Sequence, residues 1–225
     1  MNWKTTAVLA LTLMAVSGCA QRPADDNSSL GQRVLDSVNC AAKPAPEERV
    51  DLEMVDTLTA SDRYYAALAQ LQRTPQRNPE YWHRYGQLLA QTRDYSDAVD
   101  IFGALITKCD SPEAYHGLGV LALKQGNVRS ALANLENASK RLPASANVRN
   151  DYGYALLLVG DYGNAQRHLR TALELQNGRG PARQNLAVAY ILAHDGAGLT
   201  DFQARFAFSE SELVHARELA AQMRK

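Results

Sequence analysis

The amino-acid sequence predicts an all-α protein built as a solenoid of helical hairpins, with about four to five repeats and a C-terminal capping helix. Three observations predict it. Hydrophobic residues make up 46% of the chain and aromatic residues only 7%, and a composition rich in Ala and Leu favours helices over strands. Small and large apolar residues recur every 33 or 34 residues. A capping box, Ser209 to Glu212, begins one more helix near the C-terminus.

Composition and charge exclude two classes of protein. The chain of 225 residues carries 24 Lys and Arg against 24 Asp and Glu, so its formal net charge is zero. A nucleic-acid-binding protein normally has a basic excess, and we therefore expect no nucleic-acid partner. An acidic disordered chain is disfavoured as well, because only 21% of the residues are charged.

The first 18 residues have the pattern of a lipoprotein signal peptide. Lys4 precedes an apolar segment, residues 7–16, which is too short to span a bilayer core that needs about 20 residues. Small residues then precede Cys19 in the order of a bacterial lipobox, so we expect Cys19 to be lipidated and cleavage to occur before it. The alternative is an ordinary signal peptide cleaved near Ala20. Ala20 follows Cys19, and by resemblance to lipoproteins of diderm bacteria a residue other than Asp there implies attachment to the outer membrane, on its periplasmic face.

Residues 19–46 are predicted to form a flexible tether between the lipid and the folded part. The segment is rich in Pro, Asp, Asn and Ser, although residues 30–38 could form one or two helical turns. As a coil its ends would lie about 30 Å apart, which would hold the folded part clear of the membrane. The mature chain is close to neutral, so attachment would depend on the acyl chains rather than on lipid headgroups.

Two cysteines remain once Cys19 is lipidated. Cys40 lies in the predicted tether and Cys109 lies near the end of the first clear repeat. An even pair in an oxidising compartment is a candidate disulfide. The alternative is two free thiols that lie too far apart to meet. The sequence is compatible with both.

Three consecutive segments, at about 79–111, 112–145 and 146–179, share one repeat. The shared positions are a Gly in the first helix, an Ala after the turn, and a large apolar residue four positions later: Gly86, Gly119 and Gly153; Ala98, Ala131 and Ala165; Phe102, Leu135 and Leu169. Two antiparallel helices pack closely only where Gly or Ala lets their backbones approach. This requirement explains why small residues recur at these positions.

These repeats resemble the tetratricopeptide-repeat (TPR) motif, in which W-x2-L-G-x2-Y in the first helix precedes A-x3-F and a later Pro. The first-helix positions of the first clear repeat are Trp82, Tyr85, Gly86 and Leu89. Weaker helix pairs flank the three clear repeats, so the predicted solenoid spans residues 47–208. Residues 209–225 are predicted to form the helix that caps it.

No motif for catalysis or cofactor binding occurs in the sequence. It contains no phosphate-binding loop, nucleophile elbow, HExxH or CxxC pattern. His83 and His116 occupy equivalent positions of adjacent first helices, but side chains one repeat apart stand about 10 Å apart. A metal ion needs about four ligands within about 2.2 Å. We therefore expect no enzyme activity, no catalytic residue, no metal, no cofactor and no small-molecule substrate.

The first helices of a TPR solenoid line its concave side, so their residues that are not used in packing predict a protein-binding groove. This groove begins polar and becomes apolar toward the C-terminus. The predicted contact residues are Val120, Leu123, Asn150, Tyr154, Leu157, Leu158, Asn185, Val188, Ile191 and Leu192. An apolar groove fits an amphipathic helix or an extended peptide, whose backbone Asn150 and Asn185 could hold. The alternative is that the C-terminal helix folds back and fills the apolar end as core.

Two segments of the array, residues 150–162 (Asn-Asp-Tyr-Gly-Tyr-Ala-Leu-Leu-Leu-Val-Gly-Asp-Tyr) and 182–190, look most like the TadD family of lipoproteins of the tight-adherence (Flp) pilus. This resemblance implies a pilotin-like scaffold that binds a secretin subunit or another pilus assembly protein. Type IV pilus lipoproteins of the PilF/PilW kind are a second candidate, although they usually carry a longer and more regular array. A general periplasmic adaptor for envelope enzymes is the third.

Overall fold

The computed structural model describes residues 29–224, and every regular element among them is a helix. In chain order these described helices are α1 (Leu30–Ser37), α2 (Pro46–Ala60), α3 (Tyr64–Arg73), α4 (Pro79–Thr92), α5 (Tyr95–Cys109), α6 (Pro112–Lys124), α7 (Val128–Arg141), α8 (Ala146–Leu158), α9 (Tyr162–Leu175), α10 (Ala182–Leu192), α11 (Gly196–Phe206) and α12 (Glu210–Met223). None of them is long and apolar enough to cross a membrane. The predicted signal peptide, 1–18, and Cys19 lie outside the described residues.

Helices α2 to α11 form five hairpins, each packed against the next, and α12 follows as a single helix. The clear repeats at 79–111, 112–145 and 146–179 correspond to α4–α5, α6–α7 and α8–α9. The weaker flanking repeats correspond to α2–α3 and α10–α11. The predicted fold class, an all-α solenoid with a final capping helix, is confirmed.

Each hairpin turns at one residue with a left-handed backbone conformation. These residues are Asp62, Arg93, Gly126, Gly160 and His194. In the last three hairpins the next residue, an Asn or Asp, then caps the second helix, because its side chain accepts a hydrogen bond from a backbone N–H three positions later. The turn is therefore encoded by two consecutive residues, the second of which is a helix cap.

The two helices of a hairpin meet at glycines that leave no room for a side chain. A Cβ atom added to Gly119 would lie 2.5 Å from Leu135 Cγ, and one added to Gly153 would lie 2.6 Å from Leu169 Cγ. Leu135 and Leu169 are fully buried. The recurring glycines therefore set the distance between the first and second helices of each repeat.

The segment before the solenoid is docked on it, which corrects the prediction of a flexible tether over residues 19–46 for its described part, residues 29–46. Helix α1 packs against α5, and its Val34 together with the following Val38 is buried there. These two residues and Leu30 are spaced four apart, which places them on one face of a helix. The sequence indicated helical turns here, but the many breaker residues around the short apolar face favoured a flexible segment over a docked one.

The structure joins Cys40 and Cys109 in a disulfide, with their Cα atoms 5.3 Å apart. Cys109 is the last residue of α5, and Cys40 follows α1 by three residues. The bond therefore ties the end of the docked segment to the end of the helix on which it lies. The two free thiols considered above are not what the structure contains.

We expect Gly119→Ala to lower the free energy of unfolding by about 1–3 kcal/mol, because the added methyl group overlaps Leu135. Gly103, within α5, is the matched control, since no atom lies within 4 Å of a Cβ added there. Gly103→Ala should instead stabilise the protein by about 0.5–1 kcal/mol through its higher helix propensity. Urea denaturation followed by circular dichroism measures both, and equal effects would contradict the role assigned to Gly119.

Candidate protein-binding groove

The first helices of successive hairpins, α4, α6, α8 and α10, present equivalent residues on one face, which we call the groove. Each row of equivalent residues contains one residue from each helix, at the repeat spacing of 33 or 34. The rows are His83, His116, Asn150 and Gln184; Arg84, Gly117, Asp151 and Asn185; Gln87, Val120, Tyr154 and Val188; and Gln91, Lys124, Leu158 and Leu192. The rows permit a position-by-position comparison of one repeat with the next.

Polar side chains in the first two rows connect neighbouring first helices. The contacts are His83 Nε2 with the Glu113 carbonyl oxygen at 3.2 Å, His116 Nε2 with Asp151 Oδ2 at 2.7 Å, and Asn185 Nδ2 with Asn150 Oδ1 at 2.9 Å. Asn150 is buried, and its Nδ2 also donates to Asp151 Oδ1 at 3.0 Å. Asn150 and Asn185, predicted to hold the backbone of a peptide, thus bond to each other.

His83 is held in its neutral form. Burial is the main cause that lowers its pKa to about 4, and the nearby His116 acts in the same direction. A neutral imidazole at pH 7 can donate one hydrogen bond, which His83 makes to the Glu113 carbonyl group. Among the described residues there is no group of three or more His, Cys, Asp or Glu side chains that could hold a metal ion.

The open part of the groove is a recess of about 260 Å³ over α4, α6 and α8. At its floor lie Gly117 and the ring of Phe102, and a Cβ atom added to Gly117 would lie only 2.5 Å from Phe102 Cζ. Gly117 is thus the one position in its row without a side chain, between Arg84 and Asp151. Sequence reasoning passed over it, although a second Gly two residues before Gly119 was a usable signal.

The rim of this recess is mostly polar, and its walls are apolar. The rim and wall residues are Thr59, Gln87, Ala90, Gln91, His116, Val120, Lys124, Asn147, Asn150, Asp151 and Pro181. Lys124 Nζ donates to Gln91 Oε1 at 3.1 Å across the surface between two helices. The recess therefore offers a small apolar interior beneath exposed amide and charged groups.

The apolar end predicted for the groove is core. Val188 and Leu192 are 2% and 4% exposed, whereas Tyr154 and Leu158, their equivalents one repeat earlier, are 37% and 39% exposed. The difference arises because α12 packs along α10, as the alternative interpretation of the sequence had it. The two helices run in the same direction, since α12 begins near Gln184 and ends near the carbonyl group of residue 191.

The ten predicted contact residues thus separate into two groups. Leu157, Val188, Leu192 and Asn150 are buried, whereas Val120, Leu123, Tyr154, Leu158, Asn185 and Ile191 are half-buried or exposed. Leu157 belongs to the core cluster that contains Leu169 and Leu173 of α9. The same cluster contains Val188 and Leu192, so all three apolar residues are core rather than groove surface.

Comparison with known proteins agrees with this geometry. The sequence profile of the tetratricopeptide repeat matches residues 116–178. The TPR repeat-containing protein PA4299 of Pseudomonas aeruginosa is 33% identical over 184 residues, which cover 81% of this chain and 71% of that protein. The chain belongs to the tetratricopeptide-repeat family. TPR arrays are protein-interaction scaffolds that bind peptide or protein partners and are generally non-catalytic, and this is the general function of the chain.

Solved structures share the fold at low sequence identity. The TPR protein TTC0263 of Thermus thermophilus has a TM-score of 0.56 and 22% identity, over 78% of this chain and 97% of that one. YrrB, described as a TPR protein with an unusual peptide-binding site, has a TM-score of 0.53 and 18% identity, over 75% and 90% of the two chains. At these identities the likeness establishes the TPR fold alone.

One arginine fastens the capping helix to the last TPR hairpin. Arg183 Nε donates to Glu212 Oε1 at 2.6 Å, and Arg183 Nη1 donates to the Phe206 carbonyl oxygen at 2.8 Å. Its guanidinium carbon also lies 5.1 Å from the centre of the Phe208 ring. Glu212 in turn accepts from the backbone N–H of Ser209, which completes the capping box of α12. The same carboxylate therefore begins α12 and attaches it to α10.

This pairing lowers the pKa of Glu212 to about 2, mainly through the hydrogen bonds from Arg183. Because the pKa in the folded state lies below the ordinary value of 4.5, the unfolded state binds more protons between these two pH values. The contribution of the pair to stability is therefore present above pH 4.5 and is lost as the pH falls toward 2.

We expect Arg183→Met to lower the free energy of unfolding by about 1–2 kcal/mol at pH 7. A fully buried ion pair would contribute more, but this pair is partly exposed to solvent. Hydrogen exchange of the backbone amides of α12 should become faster. Arg217→Met is the matched control, since the Arg217–Glu210 pair has both side chains more than half exposed. Unchanged exchange in α12 would show that the other contacts with α10 hold the helix without Arg183.

Proposed function

We propose that this chain is a lipid-anchored TPR scaffold of the outer membrane that acts as a pilotin, binding a segment of a secretin subunit or of another assembly protein of a Flp (Tad) pilus. The observation that carries the proposal is the open recess over α4, α6 and α8, which lies on the concave side of a TPR array. The lipobox at Cys19 supports the lipid anchor. The resemblance of residues 150–162 and 182–190 to the TadD family supports the role in a Flp pilus.

The recess fits one side chain of a peptide better than a whole small molecule. Its volume of about 260 Å³ is below the range of roughly 300–1,000 Å³ that is usual for ligand and cofactor pockets. Gln87 and Gln91 stand exposed at its rim, where their amide groups can bond to the backbone of an extended segment. An apolar side chain of that segment would enter the recess above Gly117.

Tyr154 and Leu158 extend the binding surface beyond the recess. They are the exposed apolar residues of the third and fourth rows, on α8. An extended segment that crosses from α4 to α8 would meet amide groups first and apolar side chains afterwards. We therefore propose that the partner segment is amphipathic, with a single buried apolar anchor and a second apolar residue against Tyr154 and Leu158.

The lipid anchor gives the scaffold its place in assembly. Several acyl chains hold a protein stably on a membrane, where one chain would be marginal. A partner bound in the groove would then share the membrane with other subunits, and its effective concentration for ring assembly would rise. In this mechanism the chain changes where subunits meet and performs no chemistry on them.

We expect Val120→Glu to reduce recovery of the partner at least about tenfold in a pull-down from detergent-solubilised membranes, because a charge in the recess excludes an apolar anchor. Val120 is half-buried at the groove surface, so the helical content should not change. Val214→Glu is the matched control, since Val214 is exposed on α12 outside the groove. Recovery of cell-wall enzymes without any secretin would overturn the pilotin role and favour the envelope-adaptor alternative.

We expect Cys19→Ser to release the protein from the outer membrane and to leave the secretin mislocalised, because the acyl chains would be absent. Membrane fractionation of cells that carry the variant measures both quantities. Normal secretin localisation with a released scaffold would show that anchoring is not part of the mechanism. Continued association of the variant with the outer membrane would show that Cys19 does not carry the anchor.

A further inference from the structure

Helix α1 lies on the side of α5 that faces away from the first helices. A Cβ atom added to Gly31 of α1 would lie 3.2 Å from the carbonyl oxygen of Asp100, so the two backbones touch there. Asp100 precedes Phe102 by two residues, which turns it about 200° around the helix. Since Phe102 points between α4 and α6 toward the floor of the recess, α1 covers the opposite, convex side of α5.

The docked segment is fastened at several points along its length. Val34 and Val38 are buried, and Lys108 Nζ donates a hydrogen bond to the Leu35 carbonyl oxygen. The backbone N–H of Asn39 donates to the Arg77 carbonyl oxygen at 2.7 Å. The disulfide between Cys40 and Cys109 then locks the end of the segment. We call residues 29–40, held in this way, the strap.

The strap shortens the segment of chain that connects the lipid anchor to the solenoid. Ten residue steps separate Cys19 from Ser29, the first residue of the strap. Whatever the conformation of these residues, they span at most about 35 Å. A free tether that ended at residue 46, as the sequence predicted, would span up to about 95 Å by the same rule.

A connection of this length restricts orientation as well as distance. The solenoid is two helices thick, which is about 20 Å from the convex side to the groove. For the groove to face the bilayer, the connection would have to pass around this thickness from the convex side of α5. Most of its length would be used in doing so.

We propose that the strap orients the TPR array on the outer membrane, with the convex side of α5 toward the bilayer and the groove open toward the periplasm. The lipid surface is thus the partner of the convex side, and the groove remains accessible to subunits that arrive from the periplasm. This proposal rests on the lipid anchor proposed above and does not depend on which protein occupies the groove.

The test compares two positions of the full lipidated chain reconstituted in phosphatidylethanolamine and phosphatidylglycerol vesicles that contain a headgroup-attached quencher. A fluorescent amino acid replaces either Asp97, exposed on α5 beyond the strap, or Gln87, exposed in the groove. We expect quenching at position 97 to be at least about twofold stronger, because about 20 Å of helix separates the two positions. Equal quenching, or stronger quenching at position 87, would overturn the proposal.

A spacer variant tests whether the strap causes this difference. Insertion of twenty Gly and Ser residues between residues 28 and 29 leaves the described fold intact and should bring the ratio of the two signals toward one. Release of the strap by Val34→Asp with Cys40→Ser and Cys109→Ser should do the same, whereas Asp36→Ala, exposed on α1, should not. A ratio that survives both the spacer and the release would overturn the proposal. The quenching ratio is measured without a protein partner. A pull-down that recovers no secretin would therefore contradict the pilotin role and leave the proposed orientation unaffected.

Discussion

The close approach of helices at glycine is the constraint on which the rest of the structure depends. Gly119 and Gly153 each admit one leucine from the second helix of the same hairpin. Phe102 differs, because its ring lies against Gly86 of its own hairpin and Gly117 of the next. One buried side chain therefore joins α4, α5 and α6, and it forms the floor of the recess at the same point. The packing that holds the repeats together also shapes the candidate site.

A solenoid must cover the apolar face of its last repeat, and α12 does this at the C-terminal end. The cost is a shorter groove, since Val188 and Leu192 are no longer accessible. Arg183 fixes the position of α12 on α10, because its guanidinium group bonds to Glu212 of α12 and to the Phe206 carbonyl oxygen before it. The strap has a different role, as it covers the convex flank of α5 rather than an end of the array.

The repeat spacing was sufficient to predict the hairpins, including the helices that begin at Pro79 and Pro112. It could not predict which groove residues are open. Leu158 and Leu192 occupy the same position of successive repeats, and only the contact of α10 with the distant α12 distinguishes them. The sequence indicated one or two helical turns at residues 30–38, but it could not show that they dock. Their position is fixed by contacts with α5 and by the disulfide, which local propensity does not encode.

The polar bonds within the groove limit how a partner can bind. Asn150, Asn185 and Asp151 already bond to one another or to His116, so a peptide that used them would first have to break those bonds. A newly formed hydrogen bond contributes only about 0.5–1.5 kcal/mol net, and the exchange of one bond for another contributes less. The affinity of the proposed complex must therefore come from the recess and from Tyr154 and Leu158, a small apolar area. A weak groove becomes effective when scaffold and partner are held on one membrane, because this confinement raises their effective concentration. The proposed anchor therefore compensates for the small apolar area of the groove, because confinement to the membrane increases the fraction of partner that is bound.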